Sequence, residues 1–224
     1  FTDNPADLTL ENIKKYDALL LNNTTQWEDT IGESRRNDVL QYVKDGGGLI
    51  GIHAATDSCK NWPAGQEMLG GRFRWHPWVC KHAWAFKIES ADHILNQGFE
   101  NAGFWHCEEI YVFRDQKPSR DKCRILISVD TTKSRNFELI KDEHKSKVSP
   151  QTDYAVAWIQ EVGKGRVFYS SLGHNYSTYA HPQILKHYLA GIQYAAGDLE
   201  ADATPTSQLE TNPTAIAPEW PNPE

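Results

Sequence analysis

Clustered positive charge is missing from this 224-residue chain, in which 23 Lys and Arg stand against 30 Asp and Glu for a formal net charge of -7 at pH 7. Broad binding to a phosphate backbone needs grouped Lys and Arg, so nucleic acid is excluded as an expected partner. Cysteine is sparse too. Cys59, Cys80, Cys107 and Cys123 form no CxxC pair, which argues against a zinc ribbon or a disulfide-stapled scaffold and for free thiols. No apolar run approaches the ~20 residues of a membrane-spanning helix. An initiator Met and a signal peptide are absent from the start, which opens directly on a helix and a strand. We expect an upstream segment to have been lost, and with it any targeting address, so cytoplasmic and exported locations both stay open.

What is present suits one medium domain with a tail. Thr9 or Asp7 is placed to cap a short helix through about Lys15. "DALLL" (17–21) and "GLIGI" (48–52) are apolar runs flanking "ESRRNDVLQYVKDGGG", whose Val39, Leu40 and Val43 share a helical face. Strand, helix and strand with short links predict a parallel sheet covered by helices. "NWPAGQEMLGG" predicts a second helix with Pro63 in its first turn and Gly70 or Gly71 at its end. Strand-like pieces follow in "WAFKIE", "EEIYVF" and "CRILISVD", then a polar loop over 132–153 and a hairpin, "YAVAWIQEVGKGRVFYSSLGH". The last helix, "PQILKHYLAGIQYAAGD", sets Ile184, Leu185, Tyr188, Leu189 and Ile192 on one side. Residues 198–224 are rich in Pro, Thr and acidic residues and predict an extended tail or linker.

Ligands of open α/β sheets bind beyond the carboxyl ends of the strands. Three predicted strands end in polar groups there: Asn22 and Asn23, His53, and His174. His53 stands where many α/β enzymes mount a nucleophile, on a tight strand-to-helix turn, but it is an imidazole and not a Ser or Cys. Asp57 is placed either to orient His53 or to cap the next turn, and capping is the commoner role for an Asp. In "GGRFRWHPW", His76 is flanked by Trp75, Pro77 and Trp78, an aromatic wall suited to a sugar ring, although a packed turn with its aromatics in the core is the commoner outcome. Strand alternation turns one of Glu108 and Glu109 inward if the other faces water, and solvated carboxylates are the default for both. His53, His76, His174 and one glutamate form either a divalent-metal site, with zinc the natural ion, or a metal-free acid/base set. No GxSxG is present, and Cys59 lies in a predicted loop, so a serine or cysteine hydrolase is disfavoured.

Taken in order, "YDALLLNNT", "GGGLIGIHAATD", "NWP", "LGGRFRWHPW", "EEIYVF", "VAWIQEVGKGRVFYSSLGH" and the closing helix resemble the ThuA-like (trehalose-utilisation) family. The resemblance implies a flavodoxin-like, class I glutamine amidotransferase-like fold, a mostly parallel sheet with helices on both faces, over residues 1–197. It also implies that the family's first β-α-β part is missing upstream of Phe1. His53 would take the amidotransferase cysteine's place and His174 its partner histidine's, so thiolate-based glutamine hydrolysis is not expected. Asp57, His76, Glu109 and His174 would line one pocket with His53. The implied biology is carbohydrate catabolism, of disaccharides or their 3-keto forms. An enzyme on a glycoside or keto-sugar, by hydrolysis or elimination, leads, with His53, Asp57, Glu109 and His174 in the chemistry and Asn23, Trp62, His76 and Trp78 on the sugar. A sugar-binding module and a scaffold for an oxidoreductase partner are the alternatives, and a homo-oligomer is an open expectation.

Overall fold

The structure, a computed structural model, describes residue 2 and residues 4–115 and 118–220; the ends of the predicted N-terminal segment and tail, Phe1 and residues 221–224, lie outside these. After a 3-10 turn at Pro5–Leu8 come α1 (Leu10–Ile13), β1 (Ala18–Asn22), α2 (Trp27–Lys44), β2 (Gly48–Ile52) and a 3-10 turn at His53–Asp57. Next are α3 (Pro63–Leu69), β3 (Phe73–Trp78), β4 (Ala83–Glu89), β5 (Phe104–Cys107), β6 (Ile110–Phe113) and β7 (Arg124–Val129). The short helices α4 (Arg135–Glu138) and α5 (Asp142–Lys145) interrupt the expected polar loop. The chain ends with β8 (Ala155–Val162), β9 (Gly165–Ser170), α6 (Pro182–Ala196) and β10 (Thr214–Ala215).

The main sheet runs β1-β2-β9-β8-β7-β4-β10, with β5 also on β4. β1, β2 and β9 pair in parallel, as the strand–helix–strand pattern predicts. From β9 onward every pairing is antiparallel, beginning with β8 and β9, which are joined by the tight hairpin at Gly163. Within the main sheet β4 and β8 are therefore the reversed strands, and the other six share one direction. The result is a mixed α/β sheet consistent with the flavodoxin-like class. β3 and β6 form a separate two-stranded ribbon.

Strand alternation gives the sheet two cores. Leu49, Val167, Tyr169 and Trp158 face Val39, Tyr42, Val43 and Met68 of α2 and α3. Ile50, Ile52 and Phe168 face Ile184 and Tyr188 of α6. Each such large apolar side chain contributes about 1.5–3 kcal/mol on burial. Helix ends follow the sequence: the Thr9 hydroxyl accepts from the Asn12 N–H at 3.2 Å, and Gly70 closes α3 at φ 78. α2 breaks at Gly32, whose φ of 70 separates the turn at its start from the predicted helix.

Two expectations are corrected. α6 buries Ile184, His187, Tyr188, Gly191 and Tyr194, but Leu185, Leu189 and Ile192 face solvent. The helix has rolled toward Gly191, where a Cβ would lie only 2.5 Å from the Phe168 ring and where its absence lets helix and sheet approach. Residues 198–220 are extended but run along the domain: β10 pairs with β4, Thr206 Oγ1 accepts from the Ile125 N–H at 2.8 Å, and the Ala217 N–H donates to Asp130 at 2.9 Å. Composition reports that a segment cannot build its own core; it does not report that a folded domain offers it backbone partners.

Candidate active site

His53 follows directly on β2, whose five residues are all buried. Its φ of 48 is left-handed, a sparsely populated region for any residue but Gly and one that persists only when neighbours hold it. Two contacts hold it. The Tyr169 hydroxyl donates to the His53 carbonyl at 2.7 Å, and His53 Nδ1 lies 2.6 Å from the Ser171 carbonyl oxygen. A carbonyl only accepts, so Nδ1 carries the proton and Nε2 faces the opposite way. Asp57, either an orienter of His53 or a cap by its sequence position, ends the 3-10 turn and sits 3.1 Å from Lys60 Nζ.

His53 Nε2 is 3.6 Å from Glu109 Oε1, and His76 Nδ1 is 3.2 Å from Glu109 Oε2. The His174 ring centroid is 5.4 Å from that of His53, edge on. One carboxylate thus stands among three imidazoles that come from β2, the β3–β6 ribbon and the loop after β9. His53 forms the buried floor, while His76 and His174 are exposed. Burial acts to raise the Glu109 pKa, but the close approach of His53 and the charges of His76 and His174 outweigh it and hold the carboxyl below its usual range. Asn23 closes the rim, its side-chain amide donating to the Gly173 carbonyl at 2.9 Å.

The solvated default for the glutamate pair does not hold. Glu108 is 0 % exposed and the Glu109 side chain only 14 %, because the chain turns between β5 and β6 beneath the loop after β9. The sugar-stacking assignments of Trp62 and Trp78 are also corrected. Trp78 is 0 % exposed, donates its indole N–H to the Asn136 carbonyl at 2.7 Å and packs edge on to Tyr154. Trp62 is buried against Trp27 at 5.9 Å. Their ring faces are covered, as in a packed turn, and His76 alone of "RWHPW" reaches the cluster. Tyr111 was missed. Its ring lies 4.3 Å from that of His53, and its i, i+2 relation to Glu109 within the expected strand "EEIYVF" was the signal for it.

Cysteine chemistry has no foothold at Cys59, a buried thiol pushed up to about 12 by burial and then by the Glu28 charge. Zinc is the other option left by the sequence. Among the described residues no three His, Cys, Asp or Glu side chains are disposed to hold a metal ion. The donor set as placed does not fit a divalent ion. Two surface clefts, near Phe137 and near Leu40, are lined by none of the cluster's residues.

The fold and the cluster define an α/β protein of flavodoxin-like type with a histidine on its strand-to-helix elbow. The chain belongs to the ThuA family, described as trehalose utilisation, which it matches over residues 1–195. Two solved structures of ThuA-like proteins resemble it. One, from Bacteroides uniformis ATCC 8492, has a TM-score of 0.66 at 22% identity, covering 87% of this chain and 75% of that one. The other, from Parabacteroides merdae ATCC 43184, has a TM-score of 0.60 at 16% identity, covering 96% and 81%. A β-galactosidase from Bacillus circulans sp. alkalophilus shares the fold at a TM-score of 0.51 and 11% identity, over 88% of this chain but 24% of that one. No curated protein matches the chain. The family places the protein in carbohydrate metabolism related to trehalose utilisation. Among the described residues no helix is long and apolar enough to cross a membrane.

Proposed function

We propose that the protein is an enzyme of sugar breakdown that removes a proton from a carbon next to the carbonyl of an oxidised (3-keto) glycoside and eliminates the glycosidic oxygen. The observation that carries this reading is the single carboxylate, Glu109, placed between His53 and His76. With Nδ1 committed to Ser171, Nε2 is the His53 nitrogen that faces Glu109, 3.6 Å away, so a proton exchanged between the two side chains passes through it. Glu109 takes the proton from carbon, and the C–H electron pair becomes the new double bond as the glycosidic C–O bond breaks. A protonated imidazole at the rim, His174, supplies the proton to the departing oxygen. His76 and Asn23 border the same opening and bind the sugar's hydroxyls.

Glycoside hydrolysis in its common form needs two carboxylates flanking the bond. The neighbouring carboxylate, Glu108, is buried and has both oxygens occupied by donors, while Asp57 is paired with Lys60. Elimination by one carboxylate and several imidazoles suits this set better. A sugar-binding module relied on exposed tryptophans, and the burial of Trp62 and Trp78 removes its main support.

The test is to incubate the protein in D2O with 3-keto disaccharides and with the parent sugars, following deuterium at the carbon beside the carbonyl and the unsaturated product by NMR. Removing a positioned acid or base costs about 10²–10⁴-fold. Folded His53→Ala and Glu109→Gln variants are expected to lose at least about 100-fold of the exchange and of product formation. Full turnover in both folded variants, or no exchange by the wild type, contradicts the proposal.

A further inference from the structure

Glu108 is fully buried and has no part in the proton chemistry above. Its Oε1 accepts from the backbone N–H groups of Glu109 at 2.9 Å, His174 at 3.1 Å and Asn175 at 3.2 Å. Its Oε2 accepts from the Gly173 N–H at 2.9 Å and from the Thr178 hydroxyl. All five partners are donors, which is the environment a carboxylate requires and an amide side chain cannot satisfy. Thr178 spends its only proton on Glu108, so its oxygen accepts from His106 Nε2, 2.8 Å away.

The successive N–H groups of Gly173, His174 and Asn175 form a concave cradle at a strand end, the kind of place that binds an external anion. Here Glu108 fills it. The Asn175 side chain adds a second tie by donating to the carbonyls of Cys80 at 3.1 Å and Cys107 at 2.7 Å. The other face of the loop presses on the elbow: a Cβ on Gly173, whose φ is 138, would lie 2.7 Å from Ile52 Cγ2 and 3.2 Å from His53 Cβ. The loop is thus clamped between the buried carboxylate and the floor of the site.

We infer that Glu108 is a positioning residue, which sets the His174 ring against His53 and Glu109 by holding the main-chain amides of residues 173–175. The catalytic consequence rests on the proton role proposed for His174, but the geometric claim does not. Consecutive glutamates therefore do different work, Glu108 shaping the loop from below while Glu109 faces the imidazoles.

The experiment is backbone amide hydrogen exchange and ring-proton NMR on the full chain, wild type and Glu108→Gln, with circular dichroism and unfolding midpoints as fold controls. Losing hydrogen bonds to a charged group is expected to speed exchange at Gly173, His174 and Asn175 by about tenfold or more while the β2 and β9 amides keep their protection. The nuclear Overhauser contact between the His53 and His174 rings should weaken in parallel. Unchanged loop exchange and an intact ring contact overturn the inference. If Glu108→Gln does not fold, Thr178→Val, which removes one donor and keeps the shape, is expected to speed exchange at Gly173 by about threefold or more, and no change there overturns it equally. A folded His174→Ala with full turnover, beside released loop amides in Glu108→Gln, would sink the proposed proton role and leave this inference standing.

Discussion

His53 and Ser171 are joined through ring nitrogen Nδ1 and a carbonyl oxygen 2.6 Å apart, and that contact decides which nitrogen of the elbow histidine is left for chemistry. The carbonyl belongs to the strand end beside β2, so the parallel pairing of β2 with β9 is what brings the orienting group into place. A backbone orienter cannot be exchanged by a side-chain mutation. Its position is perturbed only by moving the chain around it.

Gly173→Ala does that. The new methyl meets Ile52 and His53 inside contact distance, in a backbone conformation that L side chains rarely adopt. The expected result is a loss of about 1–3 kcal/mol in unfolding free energy together with a fall in turnover larger than that loss explains. Urea unfolding and an activity assay on the same preparation check both parts.

Trp78→Ala is expected to act on stability and not on a sugar subsite. With the side chain fully buried and its N–H bonded to Asn136, truncation should cost about 3–5 kcal/mol. Denaturant titration measures it. A stable variant with only a raised KM would return Trp78 to the sugar.

The sequence made the elbow legible because an apolar run ending in His53 has few alternatives: five buried residues must stop where the first polar group meets the strand end. The closing hairpin and the capped helices were readable for similar local reasons. The two tryptophans were not, since a large aromatic beside a histidine looks the same in sequence whether its face meets water or Tyr154. Glu108 and Glu109 exchanged their expected surroundings with water for a buried clamp and a partly buried site because the loop after β9 closes on Glu108 and the β3–β6 ribbon brings His76 against Glu109. That pairing joins residues far apart in the chain, and no periodicity announces it. The roll of α6 toward Gly191 has the same character, being set by Phe168 on the sheet and not by the helix's own apolar stripe.

Glu109 also ties stability to pH. Its carboxyl is held below the usual range because the nearby His53 and the charges of the other imidazoles outweigh burial. A depressed carboxylate adds stability that is fully present above its unfolded value, about 4.3, and is lost as pH falls through the lower folded value. The stability gap between wild type and Glu109→Gln should therefore hold steady just above about pH 5 and shrink below about pH 4. Urea melts of both proteins across that range read it, and a gap that widens toward acid would reverse the sign.

The most direct measurement is the titration of the Glu109 side-chain carboxyl by carbon-13 NMR, in the wild type and in His53→Ala. The account predicts a midpoint below the ordinary glutamate value of about 4.3 in the wild type and an upward move in the variant, where burial persists but the neighbouring His53 imidazole is gone. An ordinary or raised midpoint in the wild type that ignores the loss of His53 would contradict it.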